Sequence, residues 1–196
     1  MRDEPVGAVL LAAGLGRRFG AAPKLLALLD GRPLVRHAAE AALGSGAHPV
    51  VVVLGAHAGA VRAALHGLDL VLVENPDFRD GLSTSLRAGL AALPPACAAA
   101  LVLLGDMPRI TPAHGQALIR AYRRAAEPPC AVVPVLDGVR GNPVLLDHHR
   151  LGPELSALRG DRGAGPILAG RADVLEIALD GAVGFDVDTP EALAGG

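Results

Sequence analysis

The sequence predicts an α/β fold of three layers, in which a doubly wound, mostly parallel sheet lies between helices. Apolar, β-branched runs alternate along the chain with segments of helical periodicity, which is the βαβ order of a parallel sheet. Runs such as PVVVVL at 49–54 are apolar at nearly every position, as in strands covered on both faces. Hydrophobic residues make up 51% of the 196 residues, so we expect one core and a single domain over 1–196.

The expected elements follow in order from a first strand at Val6–Ala12. Pro33 lies in the first turn of a helix over 33–43, and Thr111 and Pro112 are suited to the N-cap and first position of a helix over 111–126. The C-terminal quarter is less regular, with a helix expected from His148 and a glycine-rich stretch at 160–165. The remaining apolar runs cover 49–54, 68–73, 99–104, 130–135, 142–146 and 174–179, and the remaining expected helices cover 58–65 and 82–93.

Composition excludes several classes of protein. The net charge of −2 and the presence of only three phenylalanines and one tyrosine argue against a nucleic-acid partner. No apolar run approaches the ~20 residues of a membrane span, and Asp3 and Glu4 precede the first run, so we expect neither membrane insertion nor a signal peptide. Cys97 and Cys130 are expected to be small buried residues. These features predict a cytoplasmic protein.

A glycine-rich loop follows the first strand and ends near the only lysine of the chain. Gly14, Gly16 and Gly20 allow backbone N–H groups to approach an anion, and Arg18 and Lys24 add positive charge suited to a triphosphate. The spacing fits neither the Walker A pattern nor the dinucleotide fingerprint. Because the other 17 basic residues are arginines, Lys24 is a candidate for a position that requires a compact ammonium group.

Two acidic segments are candidates for a metal site. Asp106 follows the strand expected over 99–104, and ligands of parallel sheets bind beyond such carboxyl ends. Asp186 and Asp188 are two residues apart in an extended segment, so both side chains point the same way and can share a metal. Mg²⁺ takes one or two carboxylates together with substrate phosphates. The alternatives are a turn aspartate at 106 and helix capping at 186–191.

Two further polar segments are candidates for substrate contacts. Gly81 precedes Ser83-Thr84-Ser85, which N-caps the next helix or contacts a polar ligand at the helix N-terminus. Arg140-Gly141-Asn142-Pro143 is either a grip for an acceptor phosphate or a solvated turn.

Six segments, in the same order, resemble the MobA-like nucleotidyltransferases, and among them the molybdenum cofactor cytidylyltransferases. They are LAAGLGRRFGAAPKLL (11–26), NPDFRDGLSTSLRAGL (75–90), LLGDMP (103–108), GVRGNPVLL (138–146), GDRGAG (160–165) and DVDTPEAL (186–193). The resemblance implies a Rossmann-like sheet of the nucleotide-diphospho-sugar-transferase type. Ala13 stands where guanylyl-transferring relatives commonly have glycine, which favours CTP as donor.

The resemblance also implies roles for individual residues. The expected catalytic residues are Lys24, Arg18 and Asp106. The metal ligands are Asp106 and Asp188, with Asp186 in support. The expected nucleotide contacts are Leu11, Ala12, Ala13, Gly14, Gly16, Arg18, Lys24, Gly81, Ser83 and Ser85. The expected acceptor contacts are Arg140, Gly141, Asn142 and Asp161.

The activity implied is Mg²⁺-dependent transfer of CMP from CTP to the phosphate of molybdopterin, with release of pyrophosphate. A molybdenum hydroxylase or its chaperone is the implied protein partner. Guanylyl transfer to the same cofactor is an alternative. An NADPH-dependent reductase is the rival class, because some relatives carry the name nicotine blue oxidoreductase. A non-catalytic binding protein is disfavoured, because it would need no second metal carboxylate.

Overall fold

One eight-stranded sheet dominates the computed structural model, which describes residues 4–16, 19, 22–189 and 193. The strands are β1 (Val6–Ala12), β2 (Leu28–Leu29), β3 (Arg32–Pro33), β4 (Val50–Leu54), β5 (Val71–Glu74), β6 (Ala99–Leu104), β7 (Ala131–Leu136), β8 (Val139–Arg140), β9 (Val144–Leu146) and β10 (Val174–Ala178). The strand order is β10-β7-β9-β6-β1-β4-β5, with β8 paired to β7, while β2 and β3 form a separate two-stranded ribbon.

The sheet is mostly parallel, which confirms the fold class. β1 pairs in parallel with β4 on one side and with β6 on the other. The order in which successive strands are added to the sheet therefore reverses at β1. Such a reversal leaves a crevice at the carboxyl ends of the strands. β9 runs antiparallel between β6 and β7, an arrangement that the sequence did not predict.

Helices cover both faces of the sheet. They are α1 (Leu34–Gly44), α2 (Ala58–Ala64), α3 (Leu82–Ala91), α4 (Pro112–Arg124), α5 (Gly152–Ala157) and α6 (Gly165–Leu168). Ala8 and Leu10 of β1 face the core formed with α1, α2 and α4, whereas Val9 and Leu11 face the core formed with α3, α5 and α6. Strands buried on both faces explain the continuous apolar runs of the sequence.

Most predicted boundaries agree with the structure to within a few residues, two expectations differ, and one lies partly outside the described residues. β5 begins at Val71 rather than at 68. The helix expected from His148 begins instead at Gly152, because 148–151 form a turn in which the Asp147 carboxylate accepts the N–H of Arg150. Of the helix expected after the last acidic segment, 190–192 lie outside the described residues. Over the described ranges, no helix is long and apolar enough to cross a membrane.

Gly89 packs α3 closely against the sheet and should not tolerate a side chain. A Cβ there would lie 2.3 Å from Cγ1 of Val9 and 2.9 Å from Cγ2 of Val53, and both valines are fully buried. We expect Gly89→Ala to lower the free energy of unfolding by about 1–3 kcal/mol. Gly59→Ala is the matched control, because nothing lies within 4 Å of that position in α2. It should raise the free energy of unfolding by up to about 1 kcal/mol, and equal effects of the two variants in urea denaturation would contradict this packing.

Candidate active site

A cleft of about 480 Å³ opens at the carboxyl ends of β1 and β6. The loop after β1, the segment after β6 and the start of α3 form its walls. The lining residues are Leu11, Ala13, Gly14, Leu15, Gly16, Lys24, Leu25, Phe78, Arg79, Gly81, Leu82, Ser85, Leu104, Asp106, Asp161, Asp186 and Asp188.

Lys24 joins the two acidic segments at this cleft. Its Nζ lies 2.8 Å from Oδ2 of Asp106 and 2.9 Å from Oδ1 of Asp188. Asp106 follows directly on β6, while the segment with Asp188 is attached to it by a hydrogen bond of 3.0 Å from Val187 N–H to the Asp106 carbonyl. Val187 is fully buried beside Leu34, so packing holds the second acidic segment in place. The fold thus brings together three residues that were predicted separately.

The carboxylates of this group stabilise positive charge, both on Lys24 and on a bound cation. Burial alone would lower the pKa of Lys24, but hydrogen bonds and charge attraction from Asp106 and Asp188 outweigh it and raise the pKa above the ordinary 10.5. Asp106, Asp186 and Asp188 each offer one carboxylate oxygen, and these three oxygens lie within 4.8 Å of one another. Oδ1 of Asp106 is buried and has no hydrogen-bond partner among the described residues. These oxygens therefore suit a hard divalent cation.

The loop after β1 requires glycine beside the lysine. Gly16 has φ +59°, and a Cβ there would lie 2.8 Å from Cβ of Lys24. Gly14 and Gly16 line the cleft, so their backbone can approach a bound anion. Arg18 and Gly20 lie outside the described residues. Ala12 is fully buried within β1 and does not line the cleft, although it was among the expected nucleotide contacts.

The N-terminus of α3 is capped differently from the simplest sequence interpretation. Gly81, with φ +107°, is the N-cap residue, and Oδ1 of Asp161 accepts the Leu82 N–H at 3.2 Å. The Gly160 carbonyl accepts the N–H of Ser83 at 3.1 Å. The hydroxyls at 83–85 therefore do not cap the helix, because the glycine-rich loop from 160 does so.

The hydroxyl residues of this segment differ in their access to the cleft. Ser85 lines it, whereas Ser83 is fully buried and does not. Oγ of Ser83 has no hydrogen-bond partner within the described part of the chain. Of the two serines predicted to contact the nucleotide, only Ser85 is open to the cleft.

The expected acceptor contacts are divided between two cavities. Arg140, Gly141 and Asn142 line a second, mainly apolar cavity of about 250 Å³, which shares Leu11, Leu82 and Leu104 with the first. Asp161 lines the first cavity instead. Arg140 is already bound to Oε1 of Glu176 at 2.7 Å and to the Leu168 carbonyl at 2.8 Å. A Cβ at Gly141 would lie 2.3 Å from the Val183 carbonyl oxygen, so only glycine fits there.

Phe78 and Arg79 line the main cleft but were not among the expected site residues. The guanidinium of Arg79 lies 5.3 Å from the centre of the Phe78 ring. Two features of the sequence could have identified these residues as site candidates. Both belong to the segment at 75–90, and Phe78 is one of only four phenylalanine and tyrosine residues in the chain.

Together, the fold and the cleft define an α/β nucleotide-binding enzyme with a carboxylate cluster suited to a divalent metal. The chain belongs to the MobA-like NTP transferase family, whose model matches residues 8–175. It is a nucleotidyltransferase, and enzymes of this kind use a divalent metal.

Two curated relatives illustrate the range of this family. The nicotine blue oxidoreductase of Paenarthrobacter nicotinovorans is 36% identical over 194 residues, which cover 96% of this chain and 94% of the relative. The 2-C-methyl-D-erythritol 4-phosphate cytidylyltransferase of Streptomyces coelicolor is 37% identical over 142 residues, which cover 68% of this chain and 52% of that enzyme.

Crystal structures of Rv0371c from Mycobacterium tuberculosis H37Rv share the fold over nearly the whole length. One has a TM-score of 0.81 at 31% identity and covers 98% of this chain and 97% of the other. A second, a complex with manganese, has a TM-score of 0.79 at 30% identity and covers 97% of each chain.

Proposed function

We propose that the protein transfers CMP from CTP to the terminal phosphate of a molybdopterin-type acceptor, with Mg²⁺ as cofactor and pyrophosphate as the second product. The observation that carries this proposal is the position of Lys24, whose buried ammonium lies between Asp106 and Asp188 beside the glycine loop. A triphosphate in the cleft would meet one fixed cation and a loop of backbone N–H groups.

Asp106 and Asp188 would hold the metal, with Asp186 in support. Their oxygens are close enough to share one ion, and the unpartnered Oδ1 of Asp106 would be a ligand of that ion. Bound there, Mg²⁺ would neutralise charge on the phosphates. The manganese complex of Rv0371c supports a divalent ion in this fold.

The protein's own groups supply positioning and charge for an in-line displacement. The acceptor phosphate oxygen forms a bond to the α-phosphorus of CTP, and the bond from that phosphorus to the bridging oxygen of the β-phosphate breaks, so pyrophosphate carries away the electron pair. Lys24 reduces the repulsion between the two reacting phosphates, while the backbone of Gly14 and Gly16 holds the leaving group. The family resemblance implies the same task for Arg18, which lies outside the described residues. Such electrostatic stabilisation is commonly the largest contribution to catalysis of phosphoryl transfer.

CTP is proposed as the nucleotide donor because of two residues that would lie near its base. Ala13 and Ser85 line the cleft, and Ala13 stands at the position that resembles cytidylyltransferases. The acceptor is assigned to the second cavity with Arg140, Gly141 and Asn142, while Asp161 lines the first cavity. A molybdenum hydroxylase or its chaperone would receive the product, and a cytoplasmic location remains a prediction.

An NADPH-dependent oxidoreductase is the second candidate function. One observation favours it, namely the full-length similarity to nicotine blue oxidoreductase. The group formed by Lys24, Asp106 and Asp188 favours nucleotidyl transfer, because a nicotinamide nucleotide requires no metal carboxylates for hydride transfer.

Thermal unfolding with CTP, GTP, ATP, UTP and NADPH, each with and without Mg²⁺, separates the candidates. A ligand that binds the native state raises its stability by RT ln(1 + [L]/Kd), which is about 2.7 kcal/mol at 100 times Kd. We expect CTP with Mg²⁺ to raise the melting temperature most and NADPH to leave it unchanged. A larger shift with GTP would favour the guanylyltransferase, and a shift with NADPH alone would overturn the proposal.

A further inference from the structure

Asn75 is a buried polar residue behind the wall of the nucleotide cleft. It follows β5 and is only 4% exposed. Its side chain makes three hydrogen bonds: one to the backbone of Asp77, which precedes α3, and two to the hydroxyls of Thr84 and Ser85 in the first turn of α3. A buried amide with this many partners holds their geometry fixed.

The orientation of the amide follows from its partners. The Asp77 N–H donates to Oδ1 of Asn75 at 3.0 Å, and only the oxygen of an amide can accept it. Nδ2 must therefore face the hydroxyls, and it donates to Oγ1 of Thr84 at 2.8 Å and to Oγ of Ser85 at 3.0 Å. Both hydroxyl oxygens are acceptors toward Asn75.

The two hydroxyls differ in where their own protons go. Thr84 donates internally, because the carbonyls of Gly81 and Asp77 lie 2.8 and 3.0 Å from its Oγ1. Ser85 makes no such bond to another described residue, and it lines the cleft. Asn75 takes one lone pair of the Ser85 oxygen, and no described residue accepts the Ser85 proton, so that proton is available for a bound ligand.

We propose that Asn75 is a positioning residue that fixes the Ser85 hydroxyl as a hydrogen-bond donor toward the nucleobase, and so selects a base edge that presents an acceptor. O2 of cytosine is the acceptor of this kind that we assign to the hydroxyl. The Watson–Crick edge of guanine presents N–H donors at the corresponding positions and offers no acceptor to the hydroxyl proton there. This inference rests on the proposed function, because it requires the base to lie beside Ser85.

Asn75→Asp tests the inference with almost no change of shape. One carboxylate oxygen still accepts the Asp77 N–H, but the other now accepts the Ser85 proton and reverses the polarity of that hydroxyl. We expect the affinity for CTP with Mg²⁺, measured by calorimetry on the full chain, to fall by about tenfold, which corresponds to the loss of one hydrogen bond and an unfavourable contact. The affinity for inorganic triphosphate, which has no base, should change by about twofold or less.

Two further variants separate positioning from a general structural effect. In a Ser85→Ala background there is no hydroxyl to reverse, so Asn75→Asp should cause no additional loss of CTP affinity. Thr84→Val removes the other hydroxyl bonded to Asn75 and should change CTP affinity by no more than about twofold. The role of Asn75 would be overturned if Asn75→Asp lowered CTP affinity equally in the unchanged protein and in the Ser85→Ala variant. It would also be overturned if Asn75→Asp lowered the affinities for CTP and triphosphate equally.

The unchanged protein provides an independent test should the aspartate variant not fold. Replacing CTP by 2-thio-CTP weakens the acceptor at position 2 of the base, and we expect about tenfold weaker binding. Equal binding of the two nucleotides would contradict the inference. Failure of the unchanged protein to bind CTP with Mg²⁺ would instead contradict the proposed function itself.

Discussion

Asp106→Asn is expected to lower the rate of pyrophosphate release by at least about 100-fold, the range found when one electrostatic group is removed from a polar active site. The amide keeps the size of the side chain but removes a negative charge from the cluster with Asp186 and Asp188. The buried Oδ1 position is then occupied by a neutral group that binds a hard cation poorly. The rate should be measured at saturating CTP over a range of Mg²⁺ concentrations.

Asp69→Asn is the matched control for this experiment. Asp69 is exposed and lies outside the cleft, so the same change of charge should leave the rate unaltered. A folded Asp106→Asn variant with the unchanged protein's rate would rule out a role for this carboxylate in the reaction.

Lys24→Ala is expected to have a comparable effect on the rate, for a different reason. The variant removes the one cation shown to lie between Asp106 and Asp188, and leaves both carboxylates without it. Transfer between two phosphates then proceeds without charge neutralisation, so kcat should fall by at least about 100-fold while the protein remains folded. Circular dichroism and single-turnover pyrophosphate release measure the two properties separately.

Lys24→Arg tests whether positive charge alone is sufficient. A guanidinium is a broad planar group, whereas the ammonium of Lys24 is compact and lies between the carboxylates of Asp106 and Asp188. We therefore expect Lys24→Arg to recover less than about a tenth of the rate, since arginine and lysine are not interchangeable at constrained sites. Full activity of the arginine variant would show that the shape of the cation is unimportant. Arg32→Ala, a change to an exposed cation, should have no effect on the rate.

The part of the site that the sequence predicts best depends on the sheet. The apolar runs locate the ends of β1 and β6, and the carboxyl ends of parallel strands are where ligands bind. Lys24 and Asp106 could therefore be placed in one site from their positions after these strands. Asp188 was a metal candidate from its spacing with Asp186, and the resemblance to a known family assigned it to this site, although it lies 164 residues from Lys24.

The details that could not be predicted depend on contacts between distant segments. The position of the second acidic segment relative to Asp106 is set by a hydrogen bond from the Val187 N–H to the Asp106 carbonyl. The cap of α3 comes from Asp161, which is 79 residues away from Leu82, so a local capping rule selects the wrong residues. Asn75 could be recognised as part of a motif, but its effect on Ser85 depends on the side chains that fold around it.

Formation of a cytosine dinucleotide tests the central claim most directly. Purified protein would be incubated with CTP, Mg²⁺ and molybdopterin, and the product would be identified by mass spectrometry together with the pyrophosphate released. The account predicts equimolar dinucleotide and pyrophosphate, both dependent on molybdopterin and both lost in Asp106→Asn. Absence of both products, together with oxidation of NADPH by the same preparation, would contradict nucleotidyl transfer to this acceptor and favour the oxidoreductase.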